Sequence, residues 1–124
     1  MRFVMIMVML ILCGSARAHQ WMPTYPELRT SYVQGILTTR MELFNSRNDV
    51  KYYEILVYDK DFNPMKFATQ EQIVEVRYLK RKNIDIYIRE QDRDKVTYIC
   101  SKSKLLKGTG SATRVSSRIC SKIK

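Results

Sequence analysis

The segment Ile84-Asp85-Ile86-Tyr87-Ile88 shows the clearest alternation of apolar and polar residues in this chain of 124 residues. Successive side chains of a β-strand point to opposite sides of the sheet, so the three isoleucines would share one face. Asp85 and Tyr87 would lie on the opposite face. A strand with one apolar face is typical of an antiparallel sheet that covers a hydrophobic core on one side.

Short segments of similar character occur on both sides of it, separated by clusters of turn-forming residues. The predicted strands are 37–43, 50–58, 73–79, 84–88, 96–100 and 115–123, with a charged bend at 80–83. Residues 19–26 contain two prolines, which favour an extended arm or an edge strand. This spacing of short strands predicts an all-β fold, a single immunoglobulin-like β-sandwich of about seven strands over residues 19–124.

Residues 1–18 have the features of a secretory signal peptide. Arg2 is followed by an apolar run over 3–12 and by Ala16-Arg17-Ala18, the small-x-small pattern that signal peptidase accepts. The apolar run is shorter than the roughly 20 residues that a membrane-spanning helix needs, which disfavours a short membrane anchor. We therefore expect cleavage at the end of this segment, a mature domain that is periplasmic or secreted, and no stable membrane insertion.

Two cysteines of the expected mature chain lie in the same tetrapeptide. Ile99-Cys100-Ser101-Lys102 recurs as Ile119-Cys120-Ser121-Lys122. An exported chain meets oxidising conditions, so a Cys100–Cys120 disulfide is expected if the flanking segments are neighbouring strands. Two unpaired buried cysteines are the alternative. A catalytic thiol is not expected, because no second histidine or Cys-x-x-Cys motif lies nearby.

The charge of the chain is strongly positive and unevenly distributed. It contains 22 lysine and arginine residues against 12 acidic ones, a net charge of +10. Loss of the signal peptide would leave +8, because two arginines leave with it. Residues 100–124 contain seven basic residues, no acidic one and no aromatic one. This stretch fits a solvated basic loop and edge strand, and binding of an anionic partner is the alternative. Nucleic acid is not expected, since no ring is available to stack on bases.

The residues offer little for catalysis. A single histidine and three cysteines cannot readily supply a multi-ligand zinc site, and neither a nucleophile elbow nor a glycine-rich phosphate loop is present. We therefore expect no enzyme activity and no cofactor. One metal hypothesis stays open. After cleavage His19 would be the N-terminal residue, and its amine and a ring nitrogen could chelate copper, although such sites use a second histidine that the chain lacks.

Three groups of residues resemble the N-terminal immunoglobulin-like domain of periplasmic pilus-assembly chaperones. They are Leu43-Phe44-Asn45-Ser46 followed by 52–58, Ile73-Val74-Glu75-Val76 followed by 79–88, and Asp92-Arg93-Asp94 followed by Val96 and Tyr98. The resemblance covers residues 36–102 and implies a seven-stranded sandwich that binds an extended partner by lending a strand from its final edge. The family combines two such domains and has prolines and a glycine-rich turn where this chain has 80–83.

In that family a basic pair in the cleft anchors the terminal carboxylate of the bound subunit. The resemblance implies that Arg118 or Lys122 supplies one member of such a pair and Arg29 or Arg40 the other. We expect an exported, non-enzymatic protein-binding module that uses an edge strand and the basic residues from Lys102 to Lys122. Small exported proteins of similar pattern in marine tailed phages keep open a structural role in a virion or surface assembly, and copper binding is a further alternative.

Overall fold

The structure, a computed structural model, describes residues 18–104 and 116–124. These residues form eight strands and one 3₁₀ turn: β1 Gln20–Met22, β2 Arg29–Thr30, β3 Ile36–Phe44, β4 Tyr52–Asp59, β5 Ile73–Glu75, β6 Arg81–Arg89, the turn Glu90–Asp92, β7 Val96–Lys104 and β8 Arg118–Lys122. The predicted all-β sandwich is confirmed. No helix in this part of the chain is long and apolar enough to cross a membrane. Of the predicted signal peptide only Ala18 is described, and the segment 105–115 also lies outside the described residues.

The strands form two antiparallel sheets. Sheet A consists of β1, β2, β3 and β6, and sheet B consists of β4, β5, β7 and β8. In sheet A, β6 pairs with the full length of β3, from Ile36 opposite Arg89 to Phe44 opposite Arg81. β1 and β2 lie one after the other along the other edge of β3. Sheet B has the order β5-β4-β7-β8.

The predicted alternation decides which side chains enter the core. In β6 the three isoleucines are buried, whereas Asp85 and Tyr87 lie on the outer face of sheet A. The neighbouring and facing strands bury these further side chains: Leu37, Met41, Leu43, Tyr53, Ile55, Val57 and Ile99. The two inner faces thus form one hydrophobic core between the sheets.

The boundary between β5 and β6 differs from the prediction. β5 ends at Glu75, so the strand predicted for 73–79 is wrong over its second half. The chain turns earlier because Leu79 adopts a positive φ of 60° and the N–H of Lys80 donates to the carbonyl of Arg77 at 3.0 Å. Backbone in this left-handed region cannot continue a strand.

The bend predicted at 80–83 is also wrong, because β6 begins at Arg81. Charged residues are tolerated in this strand because Arg81 and Asp85 lie on its outer face and each has a partner on the neighbouring strand. Arg81, for example, contacts Glu42 of β3 at 2.6 Å. β2, formed by Arg29–Thr30, is absent from the prediction, because two residues are too few to show a period.

The segment after β1 leaves sheet A and follows the outer edge of β8. The backbone N–H groups of Lys122 and Lys124 donate to the carbonyl oxygens of Thr24 and Pro26, at 3.2 and 2.9 Å. Residue numbers rise together along both segments at this contact, so they run parallel. The predicted edge position of 19–26 is confirmed, and the segment closes the sandwich on the side where β1 and β8 meet.

Asn45, in the turn after β3, holds three segments together. It is fully buried, and its Nδ2 donates to the carbonyl oxygens of Val50 and Val76 at 2.7 and 2.8 Å. Its Oδ1 accepts a hydrogen bond from the Tyr53 hydroxyl at 2.6 Å. Burial raises the pKa of Tyr53 to about 12, so this hydroxyl keeps the proton that it donates.

Candidate functional site

The predicted disulfide is present and lies on the outer face of sheet B. Cys100 of β7 and Cys120 of β8 are directly opposite each other, with their Cα atoms 4.1 Å apart. Leu56 of β4 is the next residue in the same row, and it points outward because its neighbours Ile55 and Val57 point into the core. The disulfide therefore belongs to the same face as the basic residues around it.

The structure brings three of the predicted partner-binding residues together on this outer face. Lys102 lies directly opposite Arg118, and Lys122 lies opposite Tyr98. All three cations are exposed, and none has an acidic partner within 18–104 and 116–124. The neighbouring Lys104 differs, because its ammonium contacts Glu54 at 3.4 Å. We call Lys102, Arg118 and Lys122 the basic face of sheet B.

Two arginines on the outer face of sheet A are paired with acidic residues. Arg40 contacts Asp85 at 2.8 Å across β3 and β6, and Arg81 contacts Glu42 at 2.6 Å. The hydrogen bond from the Arg40 guanidinium holds the pKa of Asp85 below its ordinary value, so this carboxylate is ionised at neutral pH. Among the described residues, the outer face of sheet A thus has one arginine without an ion pair, Arg29, whereas sheet B has a cluster of three such cations.

The other two predicted residues lie on sheet A. Arg29 of β2 and Arg40 of β3 line two adjoining surface concavities of about 460 and 700 Å³, together with Thr38 and Asp85. The outer faces of the two sheets point in opposite directions. A single carboxylate therefore cannot bridge Arg29 or Arg40 to the basic face of sheet B, and the two groups would contact separate surfaces of a partner.

An aromatic cluster that the sequence pattern does not predict holds Arg118 in place. The ring of Phe62 stacks on Tyr98 with centroids 4.6 Å apart and planes inclined by 7°. The Arg118 guanidinium carbon lies 5.4 Å from the Phe62 ring centroid and 5.7 Å from that of Tyr58. Cation–π attraction at these distances orients the guanidinium without neutralising its charge.

The turn that carries Phe62 explains how a loop residue reaches this face. Phe62 has a positive φ of 61°, and its ring is 44% exposed. The Asp59 carboxylate accepts hydrogen bonds from the backbone N–H groups of Asp61 and Asn63, both at 2.9 Å. The bond from Asn63 contributes most to lowering the pKa of Asp59. Because Phe62 lies outside the strands, the two-residue period of strands cannot predict the position of its ring.

The edge of β8 is only partly available to another strand. Ser103 N–H donates to Ser117 O at 2.8 Å, which means that odd-numbered residues of β8 direct their backbone groups toward β7. Even-numbered residues direct theirs outward, and the N–H of Lys122 already donates to Thr24 in the segment after β1. The outward backbone groups of Arg118 and Cys120 have no hydrogen-bond partner among the described residues. Strand addition at β8 is therefore confined to its first half.

His19, the residue considered for copper, is buried in a network of hydroxyl groups. Its side chain is 2% exposed, with Nε2 2.7 Å from the Ser101 hydroxyl and Nδ1 3.1 Å from that of Ser117. Burial lowers the pKa of His19 to about 4, so the imidazole is neutral at neutral pH. A copper ion on Nδ1 would have to displace the Ser117 contact. The described residues contain no group of three or more potential metal ligands.

The Ser101–His19 contact has the atoms of a nucleophile and a base, but it is closed to substrates. Ser101 is fully buried, so a carbonyl carbon cannot reach its hydroxyl in this conformation. The repeated tetrapeptide explains the burial: in both copies the serine follows an outward-facing cysteine and therefore points inward, and Ser121 is buried as well. Ser101 thus serves as a hydrogen-bond partner of the buried imidazole, and Ser121 occupies an inward-facing position of β8.

Neither models of known protein families nor curated protein sequences match this chain. The resemblance to pilus-assembly chaperones therefore stays an expectation drawn from the residues quoted for it. The basic face of sheet B and the unpaired strand edges are the features from which a function can be inferred.

Proposed function

We propose that this chain is an exported, non-enzymatic protein-binding module whose basic face of sheet B binds an acidic, extended segment of another protein. The observation that carries the proposal is the cluster of three unpaired cations on one face of sheet B, compared with the single such cation among the described residues, Arg29, on the outer face of sheet A. Three exposed cations on sheet B lack an acidic partner among the described residues, whereas the Arg40 and Arg81 cations of sheet A each contact a carboxylate. Unpaired charge of one sign on one face favours a partner of the opposite sign.

The edge of β8 supplies a way to align such a segment. An added strand would pair its backbone with the outward groups of Arg118 and Cys120. The side chain of the added strand that pairs with Arg118 would then lie about 5 Å from it, on the same outer face. An acidic residue at that position of the partner segment would contact Arg118, and Lys102 lies beside Arg118 on the neighbouring strand. Arg118 would meet it already oriented by the rings of Phe62 and Tyr58.

The experiment compares two triple variants with the same change in net charge. Lys102→Glu/Arg118→Glu/Lys122→Glu reverses the basic face, and the matched control reverses three exposed cations elsewhere, namely Lys66, Lys80 and Arg93. Partners are first captured from a periplasmic or secreted fraction at physiological salt and identified by mass spectrometry. Affinity is then measured by calorimetry at several salt concentrations.

We expect the basic-face variant to weaken binding at least about tenfold and to remove most of the salt dependence, because exposed charges steer and align the partner. The control should bind as the unmodified protein does. Equal loss in both variants would mean that net charge alone matters. Failure to capture any protein at physiological salt would contradict the proposal.

A further inference from the structure

The outer edge of β6 has unpaired backbone groups in its first half. Glu90 N–H donates to Gly35 O at 2.9 Å, so even-numbered residues of β6 direct their backbone groups toward β3. Odd-numbered residues therefore direct theirs outward. Tyr87 uses its outward groups in two hydrogen bonds with Ala68, at 2.8 and 2.9 Å. Those of Arg81, Asn83 and Asp85 have no partner in the described part of the chain. Such an edge is a template for another strand.

The charges along this edge are complementary to themselves. Arg81, Asn83 and Asp85 carry a positive, a neutral and a negative side chain at equal spacing. If two copies of β6 pair antiparallel about a twofold axis at Asn83, Arg81 of each lies opposite Asp85 of the other. In this register the three residues form the hydrogen-bonded pairs of the antiparallel ladder. This agrees with the outward direction of their backbone N–H and C=O groups.

We propose that β6 pairs with β6 of a second copy of this chain in this register, so that sheet A continues across a symmetric dimer. Within each copy, Arg81 already contacts Glu42 at 2.6 Å and Asp85 contacts Arg40 at 2.8 Å. Pairing would extend these contacts into a chain of alternating charges across four strands. Arg40 lies directly opposite Asp85 of one copy, Asp85 would lie opposite Arg81 of the other, and that Arg81 reaches diagonally to Glu42. Because the twofold axis relates the two copies, these contacts occur twice in the dimer. Opposite charges on directly opposed strand residues stabilise a pair.

The ends of the free edge limit the register. Leu79, with a φ of 60°, turns the chain away before β6, and Ala68 occupies the edge at Tyr87. A second copy shifted toward Tyr87 would collide with Ala68, whereas the register centred on Asn83 uses only residues 81–85. A groove of about 280 Å³ beside this stretch is lined by Val74, Lys82 and Ile84 among others, and it offers room for the inward-facing side chains of the added strand.

Lys82 is the residue of this strand that could oppose pairing, since an inward-pointing charge discourages edge contacts. Its ammonium, however, contacts the Glu71 carboxylate at 3.3 Å, so the charge is already compensated within the chain. In the proposed register Lys82 lies opposite Ile84 of the second copy. The aliphatic part of a lysine packs on such a residue while its charged end remains with Glu71.

Sedimentation velocity over a range of concentrations tests the proposal. The unmodified protein should show a monomer–dimer equilibrium. Arg81→Asp and Asp85→Arg should each be monomeric alone, because each places like charges opposite each other in both rows. Mixed one to one, they should form a heterodimer, since Asp at 81 then meets Arg at 85 in one row while the other row is unchanged.

A backbone variant provides a second, independent measurement. Asn83→Pro removes an N–H that points outward, so the fold of the single chain is preserved while two hydrogen bonds of the dimer are lost. If the loss of each hydrogen bond raises the dissociation constant about tenfold, the loss of both should raise it about 100-fold. Arg93→Asp, at an exposed residue outside β6, is the matched charge control and should leave the dimer unchanged. Circular dichroism checks that each variant is folded.

Three results would overturn the proposal: a monomer at every concentration, a dimer that Asn83→Pro does not weaken, or single variants that fail to associate on mixing. Binding of a foreign extended peptide to a monomer, abolished by Asn83→Pro, would assign the edge to another protein instead. The basic-face variant of sheet B should still dimerise. Failure of the partner-binding proposal is therefore distinguishable from failure of this one.

Discussion

At the scale of single residues, His19 and Asn45 show how the sandwich accommodates polar groups. Both are buried, and the imidazole nitrogens of His19 and both polar atoms of the Asn45 amide are within hydrogen-bond distance of partners. A buried polar group without a partner would cost about 1–3 kcal/mol, so such complete pairing is needed for a stable interior. Neither role can be read from the sequence, because both depend on residues far along the chain.

The free energy of unfolding should depend on the protonation of His19. The folded state holds its pKa at about 4, whereas an unfolded histidine titrates near 6.5. Between these values only the unfolded chain takes up the proton, so stability from this group is complete above pH 6.5 and is lost as the pH falls to 4. We expect a loss of about 3 kcal/mol across this window in urea unfolding.

His19→Gln is the control for this pH dependence. Glutamine keeps a polar side chain at the position but does not titrate. The difference in unfolding free energy between pH 6.5 and pH 4 should therefore shrink in the variant, while carboxylates such as Asp59 and Asp85 contribute equally in both proteins. Identical pH profiles for the two proteins would show that His19 is not the titrating group.

At the scale of elements, turns with special backbone geometry decide where strands end. Phe62 and Leu79 are the non-glycine residues with positive φ in the described chain. Phe62 uses this geometry to place its ring on Tyr98. Leu79 is 56% exposed, so its side chain buries little apolar surface at this position. The sequence pattern around 73–79 predicts one strand, because the alternation of side chains carries no information about a reversal of the backbone.

Leu79→Gly should stabilise the protein. Glycine adopts a positive φ without the steric cost that leucine has there, and this gain exceeds the entropy that glycine adds to the unfolded chain. We expect the free energy of unfolding to rise by about 0.5 to 1 kcal/mol, as measured by urea unfolding. The adjacent variant Tyr78→Gly, at a residue without positive φ, should lower it instead. A loss of stability in both variants would contradict this reading of the turn.

The disulfide should stabilise the pairing of β7 with β8. It joins residues separated by 20 positions, and closing a loop of that length is worth about 3 kcal/mol in the chain-entropy model. Cys100→Ser/Cys120→Ser should lower the free energy of unfolding by about that amount. A reducing agent should destabilise the unmodified protein and leave the double variant unchanged. Equal sensitivity of the two proteins to reductant would argue against this role.

At the scale of the whole molecule, Trp21 links the two sheets. It belongs to β1 of sheet A, is 5% exposed, and its Nε1–H donates to the carbonyl oxygen of Ile99 in sheet B at 3.0 Å. Together with the segment along β8, this contact closes one side of the sandwich. β6 lies on the other side of β3 from β1, and the outward backbone groups in its first half have no partner among the described residues.

Trp21→Ala should therefore destabilise the whole domain. Removing a buried tryptophan leaves a cavity and costs about 3–5 kcal/mol. Trp21→Phe keeps most of the volume and loses the hydrogen bond to Ile99, so its cost should be smaller, about 1–2 kcal/mol. Met22→Ala, at a neighbouring residue that is 40% exposed, is the control and should change stability by less than about 0.5 kcal/mol. Calorimetric unfolding measures the stability of all three variants. A similar loss of stability for Trp21→Ala and Met22→Ala would contradict the linking role of Trp21.

The amino-acid sequence by itself predicted the all-β class, the apolar face of β6 and the pairing of Cys100 with Cys120. These features depend on a two-residue period, on turn-forming residues and on a repeated tetrapeptide, all of which are local. Only the tertiary structure decided which strands share a sheet, that Lys102, Arg118 and Lys122 lie together while Arg29 and Arg40 lie on the other sheet, and that His19 is buried. Those outcomes depend on pairing between segments distant in the chain, and an alternation of side chains specifies a face without specifying the neighbour that covers it.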